Sequence, residues 1–140
     1  MLRISKMADY GTLIMVYLAR RSTQLCNARE IAEQTHVHVP TVSKLLKRLT
    51  LAGLLRSERG VHGGYRLSRP ADEISLAQII YAVDDVRGLT ECTVGPDACS
   101  LQGICHIQGH WRVISQVIDE ALRRVNLTAF LRSPTAHDIA

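Results

Sequence analysis

The sequence predicts a mainly α-helical fold with one small β-hairpin, on three observations. Apolar residues return at helical spacing near both ends of the chain, as Met7, Tyr10, Ile14, Tyr17 and Leu18 and again as Ile114, Ile118, Ala121 and Val125. The tip Gly60-Val61-His62-Gly63-Gly64 separates two short strand-like runs, a turn signal between strands. Between 87 and 108 the periodicity fails, and three cysteines appear there.

The elements follow in order. The first helix, of about four turns, ends at Arg20, Arg21 and Ser22. Asn27 followed by Glu30 is a capping-box pattern that opens a short second helix through Ile31 and Ala32. Pro40 suits the first position of a third helix, where its missing N–H has no partner to lose. Val42, Leu45, Leu46 and Leu49 form that helix's buried stripe, and Gly53 stops it. The runs 54–59 and 65–67 make the hairpin. Ser75 and Gln78 form a second capping box before the stripe Leu76, Ile79, Ile80 and Val83, and Asp84, Asp85 and Gly88 end that helix.

Two helices joined by a short turn, the second polar and basic on its outer face, then a hairpin, make a winged helix-turn-helix. Charge placement supports that assembly: Lys44, Lys47, Arg48, Arg56, Arg59 and Arg66 gather on the second of these helices and the wing, where basic groups meet DNA phosphate. Thr41 and Lys44, near the helix start, are the candidate base readers. Arg59 at the wing base is positioned for a narrow minor groove, where the potential is most negative. Lys47 and Arg48 are expected to meet phosphate or solvent, and His36, His38 and His62 are candidate phosphate contacts.

The bulk properties agree. A net charge of +4 and a pI of about 9.1 suit a polyanion without requiring one. The longest apolar run, Gly11–Ala19, stops at Arg20, well short of the roughly 18–20 residues of a membrane span, and no cleavage-like site follows it. A cytoplasmic location is therefore expected, where cysteines serve as thiols or metal ligands more often than as disulfides. No Ser-His-Asp, phosphate-cradling or paired-carboxylate pattern appears, so an enzyme is not expected.

The cysteines are spaced Cys92-x6-Cys99-x5-Cys105. This is neither the C-x2-C of small zinc modules nor the run of bacterial ferredoxins. Wide spacing in a glycine-rich loop favours a bulky iron–sulfur cluster, while zinc, redox-active thiols and unligated cysteines stay open. Cys26 reads as a small buried hydrophobe. A fourth ligand is sought at His106 or His110, each of which also reads as a surface or packing histidine, or at Asp9, which also reads as a first-turn acid favoured by the helix dipole.

After Gly109 a helix of about 17 residues is expected, with Trp111, Ile114, Ile118, Ala121 and Val125 as a dimer seam and Val117 and Leu122 widening it. Packing within one chain is the alternative.

The residues also resemble a known family. The start Met1-Leu2-Arg3-Ile4-Ser5-Lys6, the helix end Leu46-Lys47-Arg48-Leu49, the wing 59–67 and the stretch Ile74-Ser75-Leu76-Ala77-Gln78-Ile79-Ile80 resemble the Rrf-two family of winged-helix regulators, typified by IscR- and NsrR-like proteins, over about residues 1–130. The opening 1–19 is most similar to regulators of the SUF iron–sulfur assembly operon. The resemblance implies a homodimer on a palindromic promoter operator in double-stranded DNA, and a 2Fe-2S or 4Fe-4S cluster held by Cys92, Cys99 and Cys105. It also implies recognition contacts near His38, Thr41, Ser43 and Lys44, and a minor-groove arginine at Arg59. Two departures stand out: Gln108 occupies the place of the IscR-like histidine, and the first cysteine gap is one residue longer. Asp9 falls where NsrR-like members supply an aspartate from the partner subunit, with His106 or a small exogenous ligand as the alternatives. The expected organisation is a winged helix-turn-helix domain over 1–85, a cysteine loop over 86–108, a dimerisation helix over 109–130 and a flexible tail over 131–140. The expected function is a cluster-sensing repressor of SUF-type genes. A nitric-oxide or redox sensor of the same fold and a zinc-stabilised protein-interaction module are the alternatives.

Overall fold

The computed structural model describes residues 3–84, 88–95 and 97–132. It is mainly helical with one two-stranded antiparallel hairpin, the winged-helix architecture expected. The order is α1 (Lys6–Ala19), α2 (Ala28–Thr35), α3 (Val39–Leu51), β1 (Leu55–Glu58), β2 (Gly64–Leu67), α4 (Leu76–Val83), α5 (Glu91–Val94) and α6 (Gln108–Arg124). A 3₁₀ turn at Ala71–Glu73 precedes α4, and another at Leu127–Phe130 follows α6.

Local chemistry sets most of the helix ends. Ser5 caps α1 by accepting from the Ala8 amide at 3.0 Å. Asn27 caps α2 through the Glu30 amide at 2.9 Å, but the box is not closed, because the Glu30 carboxylate accepts from the Tyr17 hydroxyl on α1 instead. α2 ends at His36 in the left-handed region, φ 57°, which histidine tolerates better than most residues. Pro40 stands second in α3, after Val39, one place later than the sequence pattern suggests. The stop at Gly53 is a Schellman turn: Leu54 N–H donates to Leu49 and Gly53 N–H to Thr50, with Gly53 at φ 76°. Leu49 and Leu54, both buried, supply the apolar contact that goes with this turn. The Ser75–Gln78 box closes in both directions.

One core holds these elements. Ile14, Met15 and Leu18 of α1, Ile31 of α2, and Val42, Leu45, Leu46 and Leu49 of α3 meet Ile79 and Val83 of α4 beneath the hairpin. Among the described residues no polar side chain is buried in it. Each buried leucine or isoleucine contributes roughly 1.5–3 kcal/mol against exposure, so the α3 stripe is a main source of stability.

The hairpin pairs Leu55 with Leu67, Arg56 with Arg66, Ser57 with Tyr65 and Glu58 with Gly64. The segment between α1 and α2 joins it as a third arm. Cys26 and Tyr65 exchange backbone hydrogen bonds of 3.1 and 2.9 Å, and Cys26 is fully buried, as its reading as a hydrophobe required.

α6 differs from the expected 109–130 helix. It ends at Arg124, and the chain then returns to the globule. Leu76 N–H donates to the Val125 carbonyl and Leu127 N–H to the Ile74 carbonyl, both at 2.8 Å, and Leu127 is buried. Val125 therefore lies past the helix that was to carry it as part of the seam. The loop also contains a one-turn helix, α5, too short for periodicity to reveal. The boundary expected at 85–86, Asp85 as a helix stop, and the tail beyond 132 lie outside the described residues.

Candidate nucleic-acid interface and cysteine loop

The polar face of α3 lies opposite its buried stripe. Ser43, Lys44 and Lys47 are exposed, Thr41 is half-buried at the edge, and His38 is exposed just before the helix with no capping hydrogen bond from its side chain. Two exposed lysines one helical turn apart, in the middle of α3, form a basic surface suited to phosphate. The wing adds Arg56 and Arg59, both exposed. Its tip is a tight turn in which Gly63 N–H donates to the Gly60 carbonyl at 3.0 Å, leaving Val61 and His62 exposed at the corner. His36 is exposed at the α2 cap, before this face.

Two arginines counted among the DNA-facing charges have protein partners. Arg66 pairs with Glu58 at 2.8 Å across the hairpin. Arg48, expected at phosphate or solvent, turns inward, and its Nη1 donates to the Val83 carbonyl at the end of α4, at 2.5 Å. Its place at the edge of the apolar stripe is the sequence signal for this orientation.

The three loop cysteines are free thiols, each half-buried. Cys92 sits on α5 with its Sγ 3.1 Å from the Thr90 hydroxyl, in a pocket of about 300 Å³ lined by Thr93, Gly95, Arg112 and Ser115. Cys99 and Cys105 lie in the succeeding turns, where Cys105 N–H donates to the Leu101 carbonyl. Among the described residues no group of three Cys, His, Asp or Glu side chains is close enough together to hold a metal ion. His106 and His110 are exposed, and Gln108 is the half-buried first residue of α6. Asp9 is exposed on α1, at a groove of about 620 Å³ lined by Ile4, Lys6, Leu76, Ile80 and Phe130.

The donor chemistry nonetheless fits a soft metal group. Three accessible thiols with no disulfide are the ligands such a group takes. Beside Cys92, the Ser115 Oγ is buried with no hydrogen-bond partner among the described residues. An unpaired buried hydroxyl costs about 1–3 kcal/mol, so this corner is incomplete in the isolated chain. Arg112 and Ser115 are the residues here that periodicity missed; their one-turn spacing at the start of α6 was the available signal.

On α6 the inner side holds Ile118, Asp119 and Leu122 against α4, where Tyr81 donates its hydroxyl to Asp119 and Arg123 pairs with the same carboxylate at 2.7 Å. The Tyr81 hydrogen bond and then Arg123 hold the Asp119 carboxyl below its ordinary pKa. The outer side exposes Val113, Ile114, Val117 and Ala121, with Trp111 on its margin. The expected seam is thus divided: Ile118 faces the chain's own α4, Trp111, Ile114 and Ala121 face out, and Val125 lies past the helix.

Comparison with known proteins assigns this arrangement. A family described as Rrf2, iron-dependent transcriptional regulator, matches residues 4–133. The HTH-type transcriptional regulator IscR of Photorhabdus laumondii is 29% identical over 140 residues, covering 99% of this chain and 85% of that protein. CymR of B. subtilis, titled the global cysteine regulator, superposes with a TM-score of 0.72 at 27% identity over 93% of this chain and 96% of its own. T. potens IscR superposes with the same TM-score at 26% identity, covering 93% of this chain and 86% of that one. These relatives are regulators rather than enzymes, and no helix among the described residues is long and apolar enough to cross a membrane. The chain belongs to the Rrf2 (Rrf-two) family of winged-helix, DNA-binding transcriptional regulators.

Proposed function

We propose that the chain acts as a homodimeric repressor on a palindromic operator, and that Cys92, Cys99 and Cys105 hold an iron–sulfur cluster whose presence sets operator affinity. The observation that carries the reading is the set of three free, half-buried thiols on one loop between α4 and α6, beside the unpaired Ser115 hydroxyl. Thr41 and Lys44 serve as base readers, Lys47 as a phosphate contact, Ser43 and His38 meet base edges or the adjoining backbone, and Arg59 enters the minor groove. The exposed stripe Val113, Ile114 and Val117 forms the dimer contact, and the partner's copy of α6 covers the apolar groove beside Asp9.

When bound, the cluster would supply a centre reactive to iron supply and oxidants. Operator affinity shifts only as far as the loaded and empty chains differ in their preference for the DNA-bound geometry. The SUF-type target follows from the resemblance of the first 19 residues. Asp9 supports a second reading, a nitric-oxide or redox sensor, because a carboxylate from the partner subunit makes an oxygen ligand among thiolates.

Anaerobic isolation with iron and sulfide analysis and visible spectroscopy tests the cluster. Replacing all three cysteines with alanine should abolish the absorption and change operator affinity. Unchanged affinity rules out sensing through this loop. Nitric-oxide titration before operator binding separates the two signals.

A further inference from the structure

The best-connected polar contact outside the proposed DNA surface lies at the end of α4, the helix that precedes the cysteine loop. The last residue of α4, Val83, and its C-cap Asp84 are held from two directions. Arg48 Nη1, from the last turn of the recognition helix α3, donates to the Val83 carbonyl at 2.5 Å. The Ser5 hydroxyl, which caps α1, donates to Asp84 Oδ1 at 2.6 Å while accepting from the Ala8 amide. Asp84 N–H closes α4 on the Ile80 carbonyl at 2.9 Å. The chain then enters the loop that bears Cys92, only four residues after Gly88.

The chemistry explains why an arginine stands here. The last carbonyls of a helix lack intrahelical donors and carry the negative end of its dipole. A guanidinium answers both the missing donor and the charge, and its fixed donor geometry transmits a displacement that a flexible ammonium would absorb. The α3 polar face, with Lys44 and Lys47, is on the same rigid helix as this guanidinium. Tyr81 and Asp119 tie the same α4 to α6 at the far end of the loop. α4 is therefore fastened to the recognition helix on one side and to α6 on the other.

We propose that Arg48 is a positioning residue that holds the recognition helix to the end of α4, the helix that precedes the cysteine loop, so that the state of the loop is communicated through α4 to the orientation of α3. The transmission rests on the sensing reading above; the fastening itself does not. Arg48 touches no DNA in this scheme.

The test compares wild type, Arg48→Met and Arg48→Lys, each iron–sulfur-loaded and cluster-free, in operator titrations across a salt series. Wild type should differ about tenfold or more between the two states. In Arg48→Met the ratio should fall to within about twofold while the salt slope stays that of wild type, and Arg48→Lys should restore part of the ratio. A slope smaller by about 0.9, with both states weakened together, would mean Arg48 is a phosphate contact and overturn the proposal. An unaltered ratio in Arg48→Met would overturn it too.

Hydrogen exchange on the cluster-free protein tests the fastening alone. Arg48→Met should speed exchange of the Asp84 and Ala52 amides together, by about tenfold. Unchanged exchange at both overturns the fastening whatever the cluster does. Equal operator affinity of loaded and cluster-free wild type overturns the sensing reading and the transmission with it, while exchange still decides the fastening.

Discussion

The Tyr17 hydroxyl donates to the Glu30 carboxylate at 3.1 Å, joining α1 to α2 beside the fully buried thiol of Cys26. Burial first, then this hydrogen bond and the Glu30 charge, push the Tyr17 pKa up to about 12, and burial likewise pushes the Cys26 thiol up. Both groups stay neutral at ordinary pH, which suits a junction beneath the hairpin.

Tyr17 makes alkaline stability predictable. An unfolded tyrosine titrates near 10, so the folded chain keeps the proton longer than the unfolded one. The contribution is complete below about pH 10 and is lost as pH rises toward 12. Melting temperature should therefore fall more between about pH 9 and 11.5 in wild type than in Tyr17→Phe, which should itself cost about 1 kcal/mol at neutral pH. Parallel decreases would show that another group governs the alkaline limit.

Gly64 and Gly109 should respond in opposite directions to alanine. A Cβ at Gly64 would lie 2.7 Å from the Cys26 carbonyl oxygen and 2.8 Å from its carbon, both backbone atoms that cannot yield without breaking the Cys26–Tyr65 bridge. Gly64→Ala should cost on the order of 2 kcal/mol and weaken operator binding through the displaced wing. A Cβ at Gly109, in the first turn of α6, meets nothing within 4 Å, and Gly109→Ala should add up to about 0.5 kcal/mol. Urea denaturation of both variants reads the contrast.

The lysines of α3 should reveal themselves through salt. Lys44→Ala and Lys47→Ala should each lower the slope of log affinity against log salt by about 0.9. Lys44→Ala should also relax preference at one base-pair position, while Lys47→Ala weakens all sequences equally. Anisotropy titrations against the operator and a scrambled duplex separate the two roles. Equal loss on both duplexes for Lys44→Ala would remove it from base reading.

Asp119 predicts acid behaviour. Its folded pKa is depressed by the Tyr81 hydrogen bond and Arg123, so its contribution is present above the ordinary carboxylate pKa of about 3.9 and is lost as pH falls through and below it. Acidification from about pH 6 to 3 should loosen α6 from α4, and Tyr81→Phe should flatten that dependence. Trp111, the single tryptophan and on α6, reports the change by fluorescence.

Local motifs made much of this fold legible. The Gly53 stop, the Ser75–Gln78 box and the α3 stripe each depend on residues within one or two turns of one another. Features that depend on distant partners were not legible. Glu30 is diverted from its own cap by a tyrosine on another helix, and Arg48 finds its acceptor 35 residues away. Val125 leaves the helical pattern because Leu76 and Ile74 draw the chain into extended pairing. At the candidate site, order along the chain identified the cysteines as a group, but spacing carries no information on whether three thiols converge.

The hairpin register has a further consequence. Arg56 and Arg66 stand directly opposite each other, and Glu58 pairs with Arg66. Like charges facing each other across a ladder repel, so the free wing holds a repulsion that an approaching polyanion relieves. The same dissolved ions should then act in opposite senses on one element: rising ionic strength screens the arginines from each other and firms the unbound wing, even as it loosens the wing's grip on DNA.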